Sequence, residues 1–171
     1  MALLIFDAGL LITACKFSIA ERLVIDYILE RCEVAVASSV RDEVVIAGVS
    51  YPDAQAARQR IEQGQIAVLM PLSGSDLEAL IVPYGLGDGE RDSILLTECA
   101  GLEGATLVID DHLAYLVSDR LRRQKRFLLD VIVDLVDAGE LDRELAIEMV
   151  DAVRPRYPPA FVEHTLLLLR R

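Results

Sequence analysis

Short, unbroken apolar runs alternate along this chain with longer stretches in which apolar residues recur at helical spacing. Runs of this kind suit strands buried on both faces, because neither side of the pleat then meets water. Four of them stand out, at residues 2 to 7, 34 to 37, 66 to 70 and 106 to 109. Between them the spacing predicts helices over residues 19 to 31, from Ser39 onward, and over 54 to 63, 75 to 82 and 90 to 101. Ser39-Val40-Arg41-Asp42 fits a capping box, and Gly64 suits the left-handed residue that closes a helix. Gly85-Leu86-Gly87-Asp88-Gly89 reads as a flexible loop. Helix is predicted again over residues 113 to 138, 142 to 153 and 159 to 170. Strand and helix in alternation predict an α/β fold with a mainly parallel sheet covered by helices.

Composition narrows the class. At 171 residues the chain suits one domain with a core that needs neither disulfides nor structural zinc. The hydrophobic fraction is 53% and the mean hydropathy +0.38. No apolar run approaches the roughly 18 residues of a spanning helix, so buried strands account for the excess and no membrane is expected. The first run lacks a basic lead, is broken by Asp7 and has no clear cleavage site, so it is not read as a secretory signal; the expected location is cytoplasmic. Cys15, Cys32 and Cys99 are odd in number and widely spaced, which predicts buried free thiols. The net charge of −11 counts against a protein that coats nucleic acid, since such proteins neutralise phosphates. It leaves room for a nuclease, because a divalent ion held by carboxylates reverses the sign that a substrate meets.

The first and last strand runs both end in aspartate: Leu3-Leu4-Ile5-Phe6-Asp7 and Thr106-Leu107-Val108-Ile109-Asp110-Asp111. A carboxylate at the end of a buried strand loses hydration and needs compensation by a helix N-terminus, a cation or a metal. Asp7 taken alone suits a cap; Asp110 and Asp111 together exceed what one cap requires. Glu43, one turn into its helix, suits either a solvated face or a ligand. In Gly87-Asp88-Gly89-Glu90-Arg91-Asp92, acids of a first helical turn ordinarily answer the helix dipole. Within one helix Glu90 and Asp92 diverge by about 200°, so both reach one site only if Glu90 precedes the helix.

Other motifs are poorer. The glycine loop lacks the Lys-Ser or Lys-Thr of a phosphate cradle and the spacing of a dinucleotide loop. Gly9 stands where an aspartyl-phosphate phosphatase would carry a second aspartate, and the acid pair comes too late for a receiver domain. His112 adjoins the acid pair and His164 lies in the last helix; neither forms a zinc motif with the cysteines. Arg120, Arg122, Arg123, Lys125 and Arg126 form a basic block, read either as a solvated face or as an RNA-backbone contact. Aromatics make up 5% of the chain with no tryptophan, so a base-stacking platform is not expected.

Leu4 to Ile12 with Asp7, Ser38 to Val45 with Glu43, Gly87 to Ala100 with Gly-Glu-Arg-Asp-Ser-Ile, and Leu107 to Asp111, taken in order, resemble a PIN domain. The resemblance covers about the first 120 residues. It implies a single three-layer α/β/α domain over residues 1 to 171, with a central mainly parallel sheet of four or five strands and residues 139 to 171 as a helical C-terminal extension. It also implies a Mg2+- or Mn2+-dependent ribonuclease, in the branch that holds toxins of toxin-antitoxin pairs. Carried over by position, Asp7, Glu43, Asp92 and Asp111 are the catalytic and metal-binding acids, Glu90 shares the metal, and Asp110 is a supporting or alternate ligand. RNA is the implied substrate, with a cognate antitoxin and a second copy of the chain as partners. Three positions depart from the pattern. Gly9 replaces a small hydroxyl residue, Tyr115 replaces an arginine, and the basic block with Phe127-Leu128-Leu129 replaces the apolar fifth strand, predicting helix through that region. A metal-dependent endoribonuclease is therefore one expectation, and a non-cutting PIN-like protein that binds RNA or a partner is the other.

Overall fold

The computed structural model describes residues 2–102 and 104–171. Strand β1 (Ala2–Phe6) lies at the centre of a five-stranded parallel sheet. It is buried from Leu4 onward, with Ile5 and Phe6 wholly enclosed. β4 (Cys32–Ala37) pairs with one edge of β1, and β5 (Ile66–Leu69) pairs with β4. On the other edge come β6 (Thr106–Val108) and then β7 (Lys125–Arg126), so the order is β5-β4-β1-β6-β7. The chain thus builds outward on one side of β1 and returns to build on the other. The order reverses between β1 and β6, and in open α/β sheets that reversal opens a crevice at the carboxyl ends of the strands.

Helices cover the sheet as a three-layer α/β/α fold. α1 (Ala8–Lys16) packs with α2 (Val24–Leu29) and α4 (Pro52–Glu62). α3 (Ser38–Arg41) continues into a π-helical turn, Asp42–Ala47, and packs on α6 (Asp88–Leu96), which also touches α5 (Asp76–Ile81). α7 (His112–Arg120) links β6 to β7. α8 (Leu128–Asp137), α9 (Arg143–Val153) and α10 (Pro159–Leu169) pack on one another. Leu141, Met149, Val153, Val162 and Leu169 join the same hydrophobic core as Leu4, so the C-terminal helices are integral to it. Cys15 and Cys32 are buried free thiols; Cys99 is free and only half-buried. Among the described residues no helix is long and apolar enough to cross a membrane.

Several local expectations are corrected. Residues 8 to 16 form α1, which the periodicity did not single out. The start of the expected helix over 19 to 31 is a hairpin of β2 (Ser18–Ile19) and β3 (Arg22–Leu23). Its turn residues Ala20 and Glu21 have φ of 47° and 68°. Such turns usually advertise themselves with Asn-Gly or Asp-Gly, so Ala-Glu carried no signal. The capping box does not form: α3 is capped at Ala37 with no side-chain bond, and Ser39 Oγ instead donates to the Asp88 carbonyl at 3.3 Å. α6 begins at Asp88 and ends at Leu96, short of residue 101.

The largest correction concerns the helix expected over residues 113 to 138. It is interrupted by Arg122 at φ 55° and by β7, so a fifth strand is present within the basic block. The reason lies outside the segment. Leu107 N–H donates to the Gln124 carbonyl at 3.0 Å and Ile109 N–H to the Arg126 carbonyl at 3.1 Å. Without that strand these buried amides would lack partners, a cost helical periodicity cannot register.

Candidate functional site

Asp7 ends β1 and caps α1. Its Oδ1 accepts from the Leu10 amide at 2.7 Å, and its own amide donates to the Val108 carbonyl at 3.3 Å, tying it to β6 across the crevice. The side chain is almost wholly enclosed. Burial is the main reason its pKa is pushed up to about 7; the Leu10 amide opposes the shift, and the charges of Asp110 and then Glu90 add to it.

Asp110 follows β6 on the far wall of the crevice. Burial raises its pKa, while the Tyr157 hydroxyl, the Leu128 amide and Arg156 hold it down. Tyr157 Oη donates to Asp110 Oδ2 at 2.5 Å. Asp110 Oδ1 is buried without a hydrogen-bond partner, although the amide at the head of α8 approaches closely enough to lower the pKa. Tyr157 comes from the C-terminal segment. α8 descends from the carboxyl ends of the strands and α9 climbs back, so the turn after α9 lies beside the acids. Arg156 Nε there donates to Thr13 Oγ1 at 3.1 Å, and Thr13 Oγ1 donates to the Gly9 carbonyl at 2.8 Å, tying this turn to α1. Burial and the neighbouring carboxylates raise the Tyr157 pKa, keeping the hydroxyl a donor.

Glu90 connects two groups of acids. Its charge raises Asp7 and also Glu43, whose pKa is elevated first by desolvation, then by Glu90 and Asp88. Glycines permit this approach. A Cβ on Gly89 would stand 3.1 Å from Glu43 Oε2, and one on Gly87 would overlap Glu90 Oε2. Glu43 itself lies at the start of the π-helical turn, an irregularity that often marks functional positions.

Asp92 and Asp111 are otherwise engaged. Because α6 starts at Asp88, Glu90 and Asp92 both lie inside the helix and leave its axis about 200° apart; the expected non-helical lead-in at Glu90 is absent. Asp92 is buried and held by Arg91, through Nε at 3.0 Å and Nη2 at 2.9 Å. Asp111 is exposed and caps α7, accepting from the Ala114 amide at 2.8 Å. Of the pair, it is therefore Asp110 whose charge acts on Asp7.

The basic block is not brought to these acids. In a parallel sheet the link from α7 to β7 lies at the amino ends of the strands, so Arg120, Arg122 and Arg123 stand at the end opposite Asp7. Three block members are already paired: Arg123 with Glu98 at 2.6 Å, Lys125 with Asp119 at 2.6 Å, and Arg126 with Asp134 at 2.8 Å. Arg156 is a cation whose charge acts on Asp110; it lies outside the basic block, close to Arg154, in a segment with no recognised motif. His112 opens α7 on the exposed surface next to Asp110, and His164 is exposed on α10.

Whether these residues suit a metal depends on the donor set. It is all carboxylate oxygen, and it includes the partnerless Asp110 Oδ1 and the destabilised Asp7 anion. Both features favour a hard divalent cation. Among the described residues, however, no three His, Cys, Asp or Glu side chains stand together closely enough to hold an ion. The set therefore suits an ion that takes one or two carboxylates and retains several waters, as magnesium does.

Gly9 leaves room for a small hydroxyl residue beside Asp7. A Cβ there would meet only Asp7 Oδ1, at an ordinary 3.7 Å. Gly9→Ser is accordingly expected to keep stability or to raise it by up to about 1 kcal/mol, since glycine is a poor helix residue. The new hydroxyl should also lower the Asp7 pKa. Urea unfolding across pH 5 to 8 reads both effects, and a clear loss of stability would contradict them. Compared with family models, curated proteins and solved structures, the chain matches none.

Proposed function

We propose that this chain is a PIN-like endoribonuclease that uses Mg2+ or Mn2+, acting as the toxin of a toxin-antitoxin pair. The observation that carries this reading is the enclosed Asp7 at the crevice where strand order reverses, destabilised as an anion by burial and by the charges of Asp110 and Glu90. Uncompensated buried acids weaken a fold, so their convergence on a ligand crevice favours a cationic cofactor.

Asp7 and Asp110 would hold the ion, with Glu90 and Glu43 extending the acidic wall. When bound, the ion would supply an acidified water and offset charge on the leaving oxygen. The residues do the rest. Tyr157 fixes the Asp110 carboxylate, the Leu10 amide fixes Asp7, and Arg156 offers the positive charge that orients a phosphodiester. Hydrolysis leaves a 5′-phosphate and a 3′-hydroxyl. Exposed Ile46, Val49 and Tyr51 beside the π-helical turn support a protein partner, either antitoxin or a second copy.

The second reading is a PIN-like protein that binds RNA or a partner without cutting, favoured by the absence, among the described residues, of three closely convergent ligands. Wild type, Glu90→Gln and Asp110→Asn incubated with a mixed RNA pool in manganese, magnesium or chelator separate the two. The expected result is a metal-dependent rise in Tm together with 5′-phosphorylated products, both strongly reduced in the variants. Stabilisation without products would support the second reading, and neither effect would overturn both metal and catalysis.

A further inference from the structure

Five tyrosines and four phenylalanines are spread along the chain, and composition gave no reason to expect a stacking surface. The fold nevertheless gathers Tyr115, Phe127, Tyr157 and Phe161 beside the acids. Phe127 stacks on Tyr115 with ring centroids 4.4 Å apart and planes 1° from parallel; Phe161 meets Phe127 edge-on at 5.8 Å and 84°. Lys125 Nζ lies over the far ring, 4.9 Å from the Tyr115 centroid. Phe161 is 50% exposed. It borders a cavity of about 270 Å³ whose other walls include Asp110, His112, Phe127, Arg156 and Tyr157.

We propose that this cavity seats one nucleobase of single-stranded RNA. This rests on the ribonuclease reading and names where that substrate is gripped. An aliphatic ligand would use the rings but leave Arg156 and His112 unanswered. A nucleotide uses both, stacking its base on Phe161, which stands perpendicular to Phe127, while its phosphate meets the Arg156 guanidinium. The cavity shares Asp110 with the acid cluster. A base held here therefore brings the adjoining backbone against the carboxylates. Arg120, Arg122 and Arg123, at the other end of the sheet, offer no such continuity. Stacking accepts any base, since each has a π face, so the pocket sets register along the strand and not sequence.

The test separates gripping from cutting by working in chelator and low salt. A short, mixed-sequence, fluorescein-labelled oligoribonucleotide and its counterpart with abasic sugars are titrated with wild type, Phe161→Ala, Phe161→Leu and Phe161→Trp. Wild type is expected to bind the base-bearing strand about tenfold more tightly than the abasic one. Phe161→Ala and Phe161→Leu should erase that difference, and Phe161→Trp should keep it. The leucine variant retains apolar bulk, so an unchanged Tm with lost discrimination assigns the effect to the ring face. Equal binding of both strands by wild type, no RNA binding, or undiminished discrimination in Phe161→Leu overturns the proposal. Base discrimination without metal-dependent cleavage would refute the ribonuclease reading alone; cleavage without discrimination would refute the pocket alone.

Discussion

Asp7→Asn is expected to make the metal-free protein more stable at pH 8 while abolishing its response to manganese. Asp7 has a folded pKa of about 7 against an ordinary 3.8. Between these values the folded state holds a proton that the unfolded chain has released. Stability therefore falls as pH rises through this window and stays low above about 7. The wild-type penalty at pH 8 is at most about 4 kcal/mol. Asparagine retains an oxygen for the Leu10 amide and caps helices as well as aspartate does, so the bond at 2.7 Å has a replacement. Urea unfolding in chelator at pH 5 and pH 8 provides the measurement. The variant's advantage should grow by about 2–3 kcal/mol between the lower pH and the higher. A variant less stable than wild type at pH 8 would show that burial does not burden this carboxylate. The trade of stability for a charged site is common where function needs an acid that folding does not.

Tyr157→Phe should act in the opposite direction. The hydroxyl donates to Asp110 Oδ2, and Oδ1 already lacks a partner, so its loss leaves both carboxylate oxygens without a side-chain donor. Removing the donor to a buried acid costs about 1–3 kcal/mol, because the carboxylate does not recover its water. Asp110 should then protonate at higher pH than in the wild type, and the loss should grow as the carboxylate ionises. A double-mutant cycle with Asp110→Asn isolates the pair: once the charge is gone, the tyrosine substitution should cost little. Additive losses would place the effect in packing around the ring, not in the bond.

The alternation of strand and helix was legible because each buried strand is a continuous apolar run whose pattern is local. For the same reason Asp7 could be picked from five neighbouring residues. Glu90 and Glu43 were legible as members of a cluster only through the family resemblance. Their coupling depends on Gly87 and Gly89 admitting carboxylates close to the backbone.

What escaped the linear pattern was non-local. β7 exists because β6 has amides to satisfy, although the segment that satisfies them is basic and short. Asp110 and Asp111 are neighbours with the same chemistry, yet one cap at Ala114 takes Asp111 to the surface while Asp110 meets Tyr157 from 47 residues away. The basic block read either as a solvated face or as a phosphate contact, and the direction of a parallel sheet sends Arg120, Arg122 and Arg123 to the opposite end from the acids. Arg156, Tyr157 and Phe161 carried no motif; α9 and α10 bring them into place. Periodicity and strand-end acids thus specified the α/β class and the carboxylate character of this protein, since both follow from burial along the chain. Which acids share the crevice, which cation faces them and which rings stand beside them followed from packing, because hydrogen-bond satisfaction and desolvation depend on neighbours in space.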